Sequence, residues 1–219
     1  MTAAARQRKA AIELRRRYGS DPVRFAEEVL GMRVWDGQAA ILRAPLEHGR
    51  TAVRSGHKTG KSTACAMLTV WWALFRPRST VLMTSATYRQ VEKILWKELR
   101  GMVQRVRSRG LELGGELRKR PETGWVLDHG SEVLGMTADN AEAIAGFSGA
   151  DLLLIVDEAS GIDERLFEAL EGNRAGGARM LLTGNPTQPS GTFFDAFNEA
   201  REFWHQIHLS SAETPNAQH

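Results

Sequence analysis

The chain has 219 residues, 42% of them hydrophobic and 25% charged, with a formal net charge of +3. These values suit one globular domain with a sizeable core, leave little room for a second, and exclude a disordered or fibrous chain. A single cysteine, Cys65, excludes a disulfide framework and agrees with a reducing cytoplasm, and no run of eighteen apolar residues offers a membrane-spanning helix.

Residues 1–34 read as a basic helical segment, loaded with Arg6, Arg8, Lys9, Arg15, Arg16 and Arg17. They lack the apolar stretch of an export signal, so a soluble, non-exported protein is expected. Asp21-Pro22 opens a helix through Leu30, and Gly31 stops it. Trp35-Asp-Gly-Gln38 follows, then a short apolar helix from Ala39 to Leu42. The apolar run Thr51-Ala-Val53 leads into Arg54-Ser-Gly-His-Lys-Thr-Gly-Lys-Ser-Thr63 and a helix from Ser62 to Leu74. Arg76-Pro77 ends that helix, and Thr80 to Met83 reads as a second strand.

Thr87-x-x-Gln90 is a capping-box start for a helix to about Val103. Its expected buried stripe is Val91, Ile94, Leu95, Leu99 and Met102, with Arg89, Lys93, Lys97 and Arg100 elsewhere. Gly114-Gly115 and the stretch Arg118 to Pro121 mark a loop or insertion. Trp125 to Leu127 and Glu132 to Leu134, joined by Asp128-His-Gly-Ser131, predict a β-hairpin in which His129 is a turn residue. Arg100, Arg105, Arg107, Arg109, Arg118, Lys119 and Arg120 make a second basic tract, and two such tracts in a nearly neutral chain hint at a polyanionic partner. Leu152 to Glu158 reads as a buried parallel strand, Asp163 to Leu170 as an amphipathic helix and Arg179 to Thr183 as another buried strand. A helix from Ser190 to Ala200 and a strand from Trp204 to Leu209 close the series. Alternating strands and helices predict an α/β fold with a mainly parallel central sheet flanked by helices on both faces.

The chemistry sits at two of these elements. A strand, a loop ending in Gly-Lys-Ser and a helix form the phosphate-binding arrangement, in which backbone N–H groups and the helix N-terminus converge on a polyphosphate. Lys61 is expected to reach the β- and γ-phosphates of ATP, and Ser62 to coordinate Mg²⁺. Ser55, Gly56, His57, Lys58, Thr59, Gly60 and Thr63 complete the loop. The pattern wants glycine at position 55, where Ser55 stands, and Gly56 follows one residue later. Asp157 and Glu158 arrive at the carboxyl end of their strand, where ligands of open α/β sheets lie. Asp157 would hold Mg²⁺, and Glu158 would act as general base toward the γ-phosphate. Thr183-Gly-Asn185 at the next strand tip would sense that phosphate and pass the difference on. Gln38, whose amide pairs with both N6 and N7 of adenine, and Trp35 are candidates for the base. Arg54, His57, Lys58, Arg174 and Arg179 are candidates for the cation that phosphoryl transfer needs.

Together these residues resemble the ATPase domain of phage terminase large subunits, an ASCE-type P-loop NTPase. The resemblance runs from about Trp35 to about Leu209. It rests on Trp-x-x-Gln, Ser-Gly-His-Lys-Thr-Gly-Lys-Ser, Thr84-Ser-Ala-Thr87, Ile144 to Gly149, Ile155-Val-Asp-Glu-Ala159 and Thr183-Gly-Asn-Pro186. It implies a motor that hydrolyses ATP to drive double-stranded DNA into a viral procapsid. The domain would occupy 35–210, with 211–219 a tail or the start of a linker. By resemblance the partners are DNA, a portal protein and a small terminase subunit, with no membrane. The active form would be a homo-oligomeric ring in the host cytoplasm, and the isolated domain a monomer. Lys61, Glu158, Thr183 and Asn185 would be catalytic. Where many terminases carry an arginine before the glycine matching Gly146, this chain has Ala145. The family's nuclease half, with its clustered carboxylates, has no counterpart before His219, so no DNA cleavage is expected. A helicase-like nucleic-acid translocase and a nucleotide-switched assembly module with little turnover are the alternatives.

Overall fold

The computed structural model describes residues 3–111, 114–118, 123–137, 144, 146–147, 151–174 and 177–215. In chain order these form α1 (Ala3–Tyr18), α2 (Pro22–Glu28), α3 (Asp36–Glu47), β1 (Arg50–Ser55), α4 (Lys61–Phe75) and β2 (Thr80–Ser85). Next come α5 (Tyr88–Gln90), a π-helical turn (Val91–Leu95), α6 (Trp96–Ser108), β3 (Thr123–Val126), β4 (Glu132–Thr137) and β5 (Leu152–Asp157). A 3₁₀ turn (Ala159–Gly161), α7 (Glu164–Arg174), β6 (Arg179–Gly184), α8 (Thr192–Asp195) and β7 (His205–Leu209) complete the order.

Seven strands make one sheet in the order β3-β4-β2-β5-β6-β1-β7, parallel except for the β3–β4 hairpin. The fold is thus the expected α/β P-loop type, with β6 inserted between the phosphate-loop strand β1 and the acidic strand β5. All six residues of β5 are buried, as a strand covered on both faces must be. Side chains alternate between two cores. Val53, Val81, Met83, Leu153, Ile155 and Leu181 face α2, α3, α4 and α6. Ala52, Leu82, Leu154, Val156, Met180 and Leu182 face α7 and Phe193. Helix α4 is apolar nearly all round because it lies in the middle of the first core, flanked by α3 and α6.

The helices of residues 1–34 share that core. Asp21 caps α2 by accepting from Arg24 N, the Phe25 ring packs edge-on to Phe75 at 5.3 Å, and Trp71 Nε1 donates to Tyr18 O at 2.7 Å.

Three elements depart from expectation. Helix α3 runs through Glu47, well past Leu42, carrying Pro45 within it. Ile94 is 42% exposed, while Trp96 is fully buried in its place. The π-turn explains this: one wide turn at Val91–Leu95 advances the helix by an extra residue, which rotates the buried face from 94 to 96. The capping box itself is present, with Thr87 and Gln90 exchanging side-chain and backbone bonds. Finally, the helix expected over 190–200 is only α8. Asn198 Nδ2 donates to Phe194 O at 2.8 Å, so a side chain satisfies a carbonyl that a continuing helix would have used. The basic loop is described only in part, with Arg118 bridging Gly124 to lengthen the hairpin; Lys119, Arg120 and Ala145 lie outside the described residues.

Candidate phosphate-binding site

The insertion of β6 sets the site. Its register aligns Thr183 with Val53 of β1 on one side and with Asp157 of β5 on the other. The carboxyl ends of three strands therefore meet at the amino end of α4. Lys61, the first residue of α4, is buried, and its Nζ donates to Gly56 O and to Asn185 Oδ1, both at 3.2 Å. Ser62 Oγ donates to Asp157 Oδ2 at 2.8 Å, and Thr183 Oγ1 donates to Asp157 Oδ1 at 2.6 Å. Asp157 is 3% exposed, and a buried carboxylate is stable only with such donors. Glu158 follows in a left-handed conformation, φ 54°, with its N–H on Asp157 Oδ1 at 3.1 Å. Positive φ in a glutamate is a strained geometry of the kind found at functional sites. Its carboxylate has no hydrogen bond among the described residues.

The loop between β1 and α4 takes its shape from a few positions. Lys58 and Gly60 have positive φ of 59° and 80°. The positive φ at Gly60 favours glycine, and a Cβ there would sit 2.6 Å from Gln38 Nε2 and displace that amide. Ser55 fills the position where the pattern wants glycine; its hydroxyl bonds Gly56 O and Thr59 Oγ1, each at 2.9 Å, and so braces the loop from inside. Gly56 is also crowded, since a Cβ there would meet Ser211 Oγ at 2.3 Å. His57 and Lys58 are exposed at the loop tip, and the His57 ring lies beside Asn185, whose Nδ2 is 3.1 Å from its Nδ1. Thr63, one residue past Ser62, donates to Glu98 of α6 at 3.1 Å. Gln38 is buried and donates from Nε2 to Gly60 O at 3.2 Å, so it touches the loop directly. Trp35 is half-buried with its ring folded over Gly37 against Leu209.

A cleft of about 470 Å³ opens beside the loop, lined by Arg54, Gly56, His57, Asn185, His208 and Ser210 among others. Arg54 donates from Nε to His208 Nδ1 at 2.7 Å, and its guanidinium stands 5.0 Å from the Phe197 ring. Burial, then the Arg54 charge, hold His208 below the usual histidine range. Of the candidate cations, Arg54, His57 and Lys58 are at this end of the sheet. Arg179 is not: it begins β6, at the opposite edge, over the Trp72 ring at 5.8 Å. In a parallel sheet the first residue of a strand and the last of its neighbour are a full strand length apart. Arg174 ends α7, and its side chain lies outside the described residues. Cys65 is fully buried, and burial reinforced by the Asp157 charge pushes its thiol up, which leaves it inert.

Sequence reasoning missed two residues of the site. Ser85 Oγ donates to the Asp157 backbone carbonyl at 3.0 Å, and Ser211 lies against Gly56. Ser85 belongs to the Thr-Ser-Ala-Thr segment and sits at the end of β2 next to β5, so its place was readable once strand order was known. Ser211 carries no sequence signal.

No family profile matches the chain. It is 30% identical over 186 residues, 82% of its length, to a protein of enterobacteria phage P7 named as a probable terminase large subunit. It spans 37% of that relative's length. Among solved structures, a mutant of the large terminase ATPase domain of Thermus phage P74-26 matches with a TM-score of 0.69 at 22% identity, over 85% of each chain. The large terminase of a thermophilic bacteriophage in complex with ADP matches with a TM-score of 0.62 at 16% identity, over 80% of this chain and 44% of the other. At those identities the structures establish the shared fold, and the sequence likeness to a terminase large subunit stands beside it.

Proposed function

We propose that this chain is the ATPase unit of a DNA-packaging motor, hydrolysing Mg·ATP to move duplex DNA into a viral procapsid. The observation that carries the reading is one hydrogen-bonded cluster: Lys61 on Asn185, and Ser62, Thr183 and the Glu158 backbone N–H on Asp157. Its likeness to a terminase large subunit over most of its length supports the packaging role.

Each residue then has a task. Lys61 exchanges Asn185 for the β- and γ-phosphate oxygens of ATP. Ser62 and Asp157 bring a hydroxyl and a carboxylate oxygen to one point, a donor pair suited to a hard cation such as Mg²⁺. When bound there, Mg²⁺ neutralises charge on the phosphate oxygens. Glu158 orients and deprotonates the attacking water. Gln38, its Nε2 engaged by Gly60, keeps Oε1 for the adenine N6 amine, with Trp35 supplying an apolar wall. Ser55 to Thr63 wrap the phosphates. Once released by Lys61, Asn185 and its neighbour Thr183 report the γ-phosphate to the segment after β6. His57 and Lys58 are placed to meet charge at the γ-phosphate.

Residues 35–210 form the ATPase unit on this reading, acting as a homo-oligomeric ring in the host cytoplasm with a portal protein and a small terminase subunit. The described residues hold no helix long and apolar enough to cross a membrane and no cluster of three metal-ligating side chains. Plasmid incubated with the chain and Mn²⁺ should remain unnicked.

The test is steady-state phosphate release from Mg·ATP at rising protein concentration. Turnover should fall at least about 100-fold in Glu158→Gln, the lower range for removing a general base. Subunits that complete each other's sites would make the wild-type rate rise more steeply than linearly. Equal turnover in wild type and variant would overturn the assignment of Glu158.

A further inference from the structure

The helical run from Tyr88 to Ser108, with Arg109 directly after it, carries basic side chains of two kinds. Arg105, Arg107 and Arg109 are engaged with the protein's own carbonyls. Arg105 Nη1 donates to Leu30 O at 3.5 Å, Arg107 Nη2 to Gly115 O at 2.9 Å, and Arg109 Nη1 to Glu28 O. They fasten the end of α6 to the turn after α2 and to the loop before β3. Arg89, Lys93, Lys97 and Arg100 differ. Among the described residues Arg89, Lys97 and Arg100 make no ion pair, and Lys93 meets only the adjacent Glu92, at 3.6 Å with 65% of the lysine side chain exposed. The acids of this stretch are withdrawn: the Glu92 side chain is 17% exposed, and Glu98 accepts from Thr63 at 3.1 Å.

What remains is a row of cations spaced four, four and three residues apart, hence along one helix face, with about 6 Å of rise for each four-residue step and about 4.5 Å for the last. Like charges at that spacing destabilise a helix, a cost that an anionic partner would offset. The row is also tied to the nucleotide site at two points. Ser85 Oγ shares its single proton between Asp157 O at 3.0 Å and Gln90 Oε1 at 3.4 Å, the latter in the first turn of the run. The Thr63–Glu98 bond joins its middle to the helix that begins at Lys61.

We infer that Arg89, Lys93, Lys97 and Arg100 form the surface that grips the phosphate backbone of duplex DNA, and that the Ser85–Gln90 and Thr63–Glu98 bonds make this surface follow the nucleotide site. The inference rests on the motor reading above and adds the face that holds the track. A row of cations along one helix face suits a regular phosphate lattice. Single strands are held by rows of aromatic stacking platforms, whereas this stretch exposes one ring, Tyr88 at its start, and buries the other, Trp96. Contacts of this kind position DNA and carry no base reading.

The test is duplex binding by fluorescence anisotropy across a salt series. It compares the wild type, the triple variant Arg89→Ala/Lys93→Ala/Lys97→Ala and the charge-matched control Arg105→Ala/Arg107→Ala/Arg109→Ala. Three phosphate contacts at about 0.9 each predict that the slope of log affinity against log salt falls by about 2.7 in the first variant. The control should lose thermal stability and keep the wild-type slope. Equal loss of slope in both variants, or in neither, would overturn the inference. Phosphate release by the wild type, with Glu158→Gln beside it, is measured in the same buffers. Turnover without row-dependent DNA binding sinks the row and leaves the ATPase reading standing. Row-dependent binding without turnover does the reverse.

Discussion

Thr183 offers a sharp test of the site's architecture, because its hydroxyl and its methyl group do different jobs. Both Thr183 and Asp157 are buried, at 0% and 3% exposure, and Thr183 Oγ1 donates to Asp157 Oδ1 at 2.6 Å. Thr183→Val keeps the shape and removes the donor, which leaves a buried carboxylate one hydrogen bond short. Bonds to charged groups contribute about 1.5–3 kcal/mol. Thr183→Ser keeps the donor and removes one methyl group, a change that costs about 0.5–1.5 kcal/mol in a packed core. For a chain of this size each kcal/mol moves Tm by about 2–4 °C. Valine should therefore lower Tm by about 3–12 °C and serine by about 1–6 °C. Scanning calorimetry in nucleotide-free buffer is the assay, since ligand binding would add its own stabilisation. If serine lowers Tm as much as valine or more, the hydroxyl is not what holds Asp157, and the derivation of the site from that bond fails.

Other consequences can be checked alongside. Trp96→Ala should cost about 3–5 kcal/mol in urea unfolding, whereas Ile94→Ala should stay within about 0.5 kcal/mol; the opposite ranking would show that the π-turn does not set the register. Glu28 accepts from Arg24, Tyr18 and Arg17, which hold its carboxyl at about 2, below its ordinary value near 4.5. A lowered carboxyl pKa favours the fold above the unfolded pKa and loses that advantage as pH falls toward 2. Glu28→Gln should accordingly flatten the decline of Tm from pH 5 to 2, leaving the share due to Asp163, also held at about 2 by Arg165. His205 stacks on His48 with ring centroids 3.9 Å apart, and burial followed by the His48 charge lowers its pKa. The fold then binds fewer protons than the unfolded chain, so stability is full above about pH 6.5 and declines below it. His48→Gln should weaken that decline between pH 7 and 5 in a Tm titration.

Much of this could be read along the chain because the controlling interactions are local. The unbroken apolar run before Asp157 demands a strand covered on both faces, and Gly-Lys-Ser after a short strand demands a turn into a helix. Asp21-Pro22 and Thr87-x-x-Gln90 cap helices through atoms within three residues of each other, and both caps formed as expected. The slip at Ile94 has a local cause that residue type conceals. A π-turn changes the count by one without any proline or glycine to announce it.

Ser55 shows the limit from the other side. It departs from the loop pattern, which wants glycine there, and in the fold its hydroxyl joins Gly56 to Thr59.

The sequence by itself determined most of the elements, the phosphate loop and the acidic strand end, since periodicity and turn chemistry act over a few residues. It could not order the strands, because pairing depends on which buried faces fit together across the whole chain. Only the tertiary structure put β6 between β1 and β5, which brings Asn185 to Lys61 and Thr183 to Asp157 across more than a hundred and about twenty-six residues of sequence. The parallel direction of the strands leaves Arg179, the first residue of β6, at the amino end of the sheet, away from the site. The tertiary structure also separated the arginines of α6 that clamp the fold from the cations that face outward, a distinction set by which carbonyl each side chain can reach.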